Sequence, residues 1–398
     1  MVFYFKNFTP EKDNLIIGLM SGTSCDGLDV ALISVKEDRG KTDFRFLKGS
    51  SYPYSKKQRN YLKTLPLAEN SSAYSISQTN FYLAQIWAEM VNDFLRKNEL
   101  TPSEITLIAS HGHTLWHQSK PNVVIDRNVI STLQIGDPSV LAKLTGIPVI
   151  GDFRVGDMAL GGQGAPLIPY FDLVFFSRFK KNILAINLGG IANFTFIPAD
   201  GDLNKVIGFD TGPANMLLDQ AMMDLFGKPF DKDGEMANKG RLSNVLLRYL
   251  LEIDSYVNMP MPKSTGREYY GQAFYSKIKK FCEQKKISPA DIIHTLSFYT
   301  VMAIQTNYSN FIAPAHGMPD MIVVSGGGAS NRFLMEQLKI QFNGIPVRNS
   351  QEMGINSEFK EAIGFAILGW GTLLGKPTNV PKVTGAQKAT VLGKICPP

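Results

Sequence analysis

The 398-residue chain is poor in cysteine, in histidine and in sustained apolar runs. Its three cysteines, Cys25, Cys282 and Cys396, are too few and too scattered for a disulfide framework or a zinc site. A reducing, cytoplasmic setting fits that usage. The longest apolar stretch, Ala362 to Leu374, is broken by Gly364, Gly369 and Gly371 and is too short to cross a bilayer. The N-terminal MVFYFKNFTPEKDN has only a brief apolar patch before its charges, which argues against a signal peptide. Blocks of one charge are missing too. The net charge of +6 is spread over lysine pairs at 56–57, 180–181, 279–280 and 285–286, which read as solvated faces rather than a nucleic-acid surface. A mild positive excess equally suits an anionic small substrate.

What remains is ample core material in a chain longer than single cores usually grow, so two lobes are expected. The segment 15–33, LIIGLMSGTSCDGLDVALI, reads strand, polar loop, strand. Its loop offers two glycines, three hydroxyls and one carboxylate between Ser21 and Gly27. Glycines let backbone N–H groups approach an anion, and an aspartate there suits a divalent cation. The loop is not a Walker A motif, because no Gly-Lys-Ser/Thr follows and a strand comes next. Two readings stay open for it: a plain hairpin turn, or a grip on a metal-bound polyphosphate.

Downstream, Asp43 to Lys48 suggests a third strand, and residues 69–98 carry helical spacing through Phe81, Leu83, Ile86, Trp87, Met90, Val91 and Phe94. A short strand, Ile105 to Ala109, is expected to empty into a loop at Ser110-His111-Gly112-His113-Thr114. Gly136-Asp137-Pro138 opens a helix, and Val149-Ile150 forms a strand before a loop at 151–154. Residues 183–197, ILAINLGGIANFTFI, repeat the opening pattern of strand, glycine turn and strand. A further strand, Val206 to Phe209, ends at Asp210-Thr211-Gly212-Pro213. Met321 to Val324 then runs into Ser325-Gly326-Gly327-Gly328 and a helix, a ready contact for an anion or a nucleotide. The alternation of strands and helices argues α/β with two related halves.

Two such hairpins and a late strand–glycine loop–helix resemble the actin, hexokinase and heat-shock ATPase superfamily. Nine segments narrow the resemblance: GTSCDGLD (22–29), SHGHTLWH (110–117), QIGD (134–137), GDFRVGDMALGGQGAPLIP (151–169), NLGGIANFT (187–195), GFDTGPANMLLD (208–219), PKSTGRE (262–268), SGGGASN (325–331) and EAIGFAIL (361–368). In that order they resemble the 1,6-anhydro-N-acetylmuramic acid kinases over most of the chain. Two positions depart from the family pattern. His113 stands where the family generally has glutamine, and Ala214 where it has glycine.

The resemblance implies a two-lobed actin/hexokinase-like (ribonuclease H-like) α/β ATPase fold with an interlobe nucleotide and sugar cleft. Residues 1–137 plus about 376–398 are expected as one lobe and 138–375 as the other. It implies a reaction in which water opens the anhydro ring and O6 takes the γ-phosphoryl group of ATP. Asp210 is the expected general base, with Glu361 assisting. The phosphates would meet Gly22, Thr23, Ser24, Asp26 and Gly27 in the first turn and Asn187, Gly189 and Gly190 in the second. Gly326, Gly327 and Gly328 would lie against adenosine or ribose. Asp26 is the expected Mg²⁺ residue, through water. His111, His113 and Thr114 would touch the sugar, His117 would support them, and the planar fork of Arg154 would hold the lactyl carboxylate. A homodimer is implied, with no nucleic-acid or membrane partner. The segment 262–268 receives no role from its spacing, and Cys25 no chemistry. A kinase for another sugar and an ATP-driven conformational module are the competing readings.

Overall fold

The computed structural model describes residues 8–398, which form two compact units. The stretch read as no signal peptide begins on residues 1–7, outside the described residues. The first unit runs up to Val174 and resumes with Glu358–Pro398, and the second is Phe175–Ser357.

The first unit is built on β1 (Asn14–Ser21), β2 (Gly27–Asp38), β3 (Lys41–Pro53), β4 (Ile105–Val124), β5 (Arg127–Ile135), β6 (Val149–Gly151) and the C-terminal β12 (Lys394–Cys396). The sheet order is β12-β6-β4-β1-β2-β3, with β5 paired to the far half of β4. β1, β2 and β3 are antiparallel neighbours, while β1–β4 and β4–β6 are parallel. The second unit holds β7 (Ile183–Leu188), β8 (Ile191–Ile197), β9 (Ile207–Pro213), β10 (Met321–Ser325) and β11 (Val347–Asn349) in the order β11-β10-β7-β8-β9. Here too the first three strands are antiparallel and the next two parallel. Both units therefore show one plan, three meandering strands followed by two crossover strands, which is the ribonuclease H-like arrangement.

Three expectations are corrected. The division at 137/138 and 375/376 does not follow the packing, because β6 pairs with β4 and the helix Lys360–Leu373 lies on β1, β2 and β4. The run 110–114 is not a loop: β4 continues through it, still paired with β1 at His113 and newly paired with β5. Arg154 lies in a short helix, Phe153–Ala159, rather than a loop.

The helix Ala73–Lys97 buries Leu83, Ala84, Trp87, Ala88, Val91, Phe94 and Leu95, while Phe81 on the same spacing stays half exposed. Each fully buried large side chain of that face contributes roughly 2 kcal/mol. The apolar stretch at 362–374 is a core helix, buried on all sides from Ala362 to Leu373. No helix of the described residues is long and apolar enough to cross a membrane. Small residues let this helix sit close to the sheet. A Cβ on Gly18 of β1 would lie 1.9 Å from the Ala362 carbonyl oxygen, and one on Gly369 would lie 2.6 Å from the Ala109 Cβ.

Gly18→Ala should therefore force Glu361 and its helix away from β1. The expected loss of stability is about 3 kcal/mol in denaturant unfolding; a loss under about 0.5 kcal/mol would show that the helix adjusts freely.

Candidate functional site

The first glycine turn joins β1 to β2. The Cys25 N–H donates to the Gly22 carbonyl at 3.0 Å, and Cys25 takes a left-handed backbone with φ 58°. That conformation turns Thr23, Ser24 and Asp26 outward to solvent and Cys25 inward. Asp26 makes only a long ion pair with Arg59, at 3.8 Å, with its own side chain 70% exposed. The loop thus presents the hydroxyls of Thr23 and Ser24 and the Asp26 carboxylate to solvent.

Behind the loop runs a buried hydrogen-bonded chain. Trp87 Nε1 donates to the Tyr54 hydroxyl at 2.8 Å, and that hydroxyl lies 3.0 Å from Ser21 Oγ. Ser21 Oγ is 3.1 Å from His113 Nδ1, and Cys25 Sγ is 3.9 Å from His113 Nε2. His113 is 2% exposed, so both ring nitrogens face protein rather than a ligand. Burial pulls its pKa down to about 4, leaving a neutral ring at physiological pH. Thr114 accepts a hydrogen bond from Gln134 Nε2 at 3.2 Å, and His117 Nδ1 meets Thr132 Oγ1 at 3.0 Å.

His111 lies beside Arg154. Its Nδ1 is 2.8 Å from the Gly112 carbonyl, so the proton sits on Nδ1. Its Nε2 is then the acceptor for Arg154, at 2.8 Å from Nη2 and 3.2 Å from Nε. Arg154 Nη1 donates to the Gly164 carbonyl at 2.7 Å. Burial, and then the charge of Arg154, hold His111 neutral, well below the usual histidine range. Burial also lowers Arg154 to about 10, opposed by Glu361 and Asp157, so the guanidinium stays charged. Arg154 does not pair with Asp152, which bonds Lys394 instead. Glu361, in the first turn of its helix, keeps an exposed side chain, and desolvation by the protein around it raises its pKa against the pull of Arg154 and Lys360. Lys360 itself is tied to Asp172 at 2.8 Å.

In the second unit the turn between β7 and β8 is braced from two sides. Asn215 Nδ2 donates to the Leu188 carbonyl at 2.9 Å, and the N–H groups of Ala214, Asn215 and Met216 reach the Gly189 and Gly190 carbonyls. Ala214 has φ −131°, so its Cβ is accommodated where the family pattern has glycine. The triple glycine packs on the same turn. A Cβ on Gly326, which has φ +83°, would lie 2.7 Å from the Leu188 oxygen, and one on Gly328 would lie 2.6 Å from the Leu188 Cβ. Gly327 faces open space, with its nearest neighbour at 3.9 Å.

Asp210 lies within β9, which continues past the expected end at Phe209 to Pro213. Asn193 faces Asp210 and Ala192 faces Gly212, so Thr211 is an extra residue in the ladder. Such a bulge re-aims the side chain before it. Oδ2 of Asp210 accepts the Thr265 N–H at 2.9 Å. Burial lifts its pKa to about 6, against the Thr265 hydrogen bond and with help from Glu268. A carboxylate so raised accepts a proton readily near neutral pH.

The model of the anhydro-N-acetylmuramic acid kinase family matches residues 14–398. The chain belongs to that family. The anhydro-N-acetylmuramic acid kinase of Caldanaerobacter subterraneus subsp. tengcongensis is 39% identical over 389 residues, covering 97% of each chain. That of Bacillus thuringiensis subsp. konkukian is 38% identical over 385 residues, covering 96% of this chain and 98% of that protein. Among solved structures, the ROK hexokinase of Thermus thermophilus aligns with 89% of this chain and 97% of its own, at 14% identity and a TM-score of 0.36.

Within the first unit, then, the structure brings together His111, Arg154 and Glu361, and separately Ser21, Cys25 and His113. Within the second it brings Asn187, Gly189, Gly190 and the triple glycine to one turn, and sets Asp210 against Thr265. The pattern reading missed Thr265 and Lys263. Both stand in PKSTGRE, a segment of the family resemblance whose spacing carries no periodic signal.

His113 makes a prediction of its own. Between its ordinary 6.5 and its folded value of about 4, the unfolded chain binds a proton that the folded chain refuses, so stability falls as pH drops through that window. His113→Gln, the usual family residue, should flatten this fall in thermal melts, with His111 keeping part of the slope. Equal slopes in both proteins would mean that His113 titrates as freely as a solvated ring.

Proposed function

We propose that the chain converts 1,6-anhydro-N-acetylmuramic acid, water and ATP into N-acetylmuramic acid 6-phosphate and ADP, as a step of peptidoglycan recycling. The observation that carries the reading is Asp210, a carboxylate desolvated on a bulged strand in a member of this kinase family.

In this reading Asp210 takes a proton from the attacking water. The water oxygen bonds to the anomeric carbon, and the bond from that carbon to O6 breaks. O6 bonds to the γ-phosphorus as the bond to ADP breaks, so no separate strong acid is needed. Arg154 holds the lactyl carboxylate with a guanidinium oriented by His111 and Gly164. Glu361 stands near that charge and accepts from a sugar hydroxyl. Thr114 also contacts the sugar. His113, closed off by Ser21 and Cys25, supports the phosphate turn instead of touching the sugar. Gly22, Thr23, Ser24 and Gly27 grip phosphate from one turn, and Asn187, Gly189 and Gly190 from the other. The exposed face of the 326–328 loop, at Gly327, meets the adenosine.

Mg²⁺ belongs to the same reading. Among the described residues no cluster of three metal-binding side chains occurs, which suits an ion held mostly by phosphate oxygens and water. Asp26 is the residue to hold it, with an exposed carboxylate engaged only at long range. Bound there, the ion would neutralise charge on the transferring phosphoryl group. A homodimer and a cytoplasmic setting complete the proposal; the three cysteines are free, which agrees with a reducing compartment.

The test is product analysis with magnesium-ATP and the anhydro sugar. The expected product has gained one water and one phosphoryl group, in step with ADP. Phosphorylation without ring opening would favour another sugar kinase, and full ATP hydrolysis without sugar would favour a conformational module. Arg154→Lys should raise the KM for the sugar by roughly tenfold or more while leaving the KM for ATP near the parent value, because an ammonium cannot reproduce the fork.

A further inference from the structure

Among the described residues, the segment 254–268 supplies every non-sheet hydrogen bond of Asp210. The Thr265 N–H donates to the carboxylate at 2.9 Å. The Asp210 N–H donates to the Lys263 carbonyl at 3.4 Å, and the Tyr256 hydroxyl donates to the Asp210 carbonyl at 3.1 Å. β9 is the last strand of its sheet, so its outer edge has no strand neighbour and this segment covers it instead.

What fixes the segment is the side chain of Lys263. It is 8% exposed, and its ammonium donates to the Val257 carbonyl at 2.8 Å and the Tyr256 carbonyl at 3.2 Å. Three aromatic rings surround it, Tyr256 and Phe311 with centroids at 5.0 Å and Phe209 at 5.4 Å. Two of these belong to the site's own frame: Phe209 precedes Asp210, and Tyr256 bonds its carbonyl. One buried cation thus ties together the strand bearing the carboxylate, the turn at 256–257 and the loop that delivers the Thr265 N–H. Burying an ammonium without a carboxylate directly on it is costly, and two carbonyls with three π faces offset that cost only in part. Such a group is a poor choice for stability alone.

We propose that Lys263 is a positioning residue for the base, holding the 256–265 segment so that Thr265 fixes the Asp210 carboxylate in its reactive orientation. The inference rests on the reading of Asp210 as the base. The charge of Lys263 also favours the ionised carboxylate, whereas Glu268 opposes it; Asp254 faces Lys263 and is itself held by the hydroxyls of Tyr270 and Tyr299. Removing the cation therefore moves the acid limb of activity to higher pH.

Lys263→Met keeps the length and fills the aromatic cage without the charge or the two hydrogen bonds. The expected result is a folded protein with kcat lowered roughly thirtyfold, the KM for ATP within about threefold of the parent, and the acid limb of kcat/KM at higher pH. A folded Lys263→Met with parental kcat and acid limb overturns the proposal, whatever its melting temperature. Should that variant fail to fold, Tyr256→Phe decides, since it deletes only the hydroxyl on Asp210: kcat lowered about tenfold at unchanged KM for ATP supports the assembly, and parental kcat overturns it. Asp210→Asn separates the two levels. Activity in Asp210→Asn removes the base assignment itself; an inactive Asp210→Asn beside a parental Lys263→Met removes only the role of Lys263.

Discussion

The constraint on which this molecule turns is the desolvation of one carboxylate. Asp210 sits on an edge strand, before a bulge, with the Thr265 N–H on its Oδ2 and, among the described residues, no ion pair. Water or a paired arginine would leave it an ordinary weak base. Burial lifts it to about 6, where it is largely ionised at neutral pH and yet holds a proton better than a solvated aspartate. The surrounding architecture serves to keep it there: β8 on one side, the 256–265 segment on the other, and the long buried helix Pro289–Phe311, whose Asn307 donates to the bulge carbonyl of Thr211.

The other unit treats charge in the opposite way. Arg154 is half-buried like Asp210, but its donors meet a neutral imidazole and a carbonyl, so its positive charge is oriented without being neutralised. A neutral His111 is what makes this possible, because a protonated ring would repel the guanidinium. The turns proposed as phosphate grips would use a third device, backbone N–H groups that glycine lets an anion approach. The same strand plan in both units places such a turn between the first two strands of each sheet.

Much of this was legible in the residues. The two hairpins, the helix at 73–97 and the strand before the triple glycine all follow from apolar spacing bounded by glycine or a cap. The unit boundaries were not, because assignment of β6 and of the helix Lys360–Leu373 depends on long-range packing that local pattern does not encode. Nor was the continuation of β4 through 110–114. Glycine and histidine lower strand propensity there, and pairing with β1 and β5 overrides it. His113 shows the same limit at the site: the family resemblance implies a sugar contact for it, while its side chain points to Ser21 and Cys25. Lys263 lies in a segment of the family resemblance but its role carries no periodic signal, since the aromatic cage is assembled from residues 209, 256 and 311.

The ionisation of Asp210 in the free enzyme is read directly from the pH dependence of kcat/KM for the anhydro sugar. With Asp210 as the base, the profile has a single-proton acid limb with its midpoint near the raised value of about 6, activity falling as the carboxylate takes up a proton. A profile that stays flat down through the ordinary aspartate value of 3.8 would contradict it.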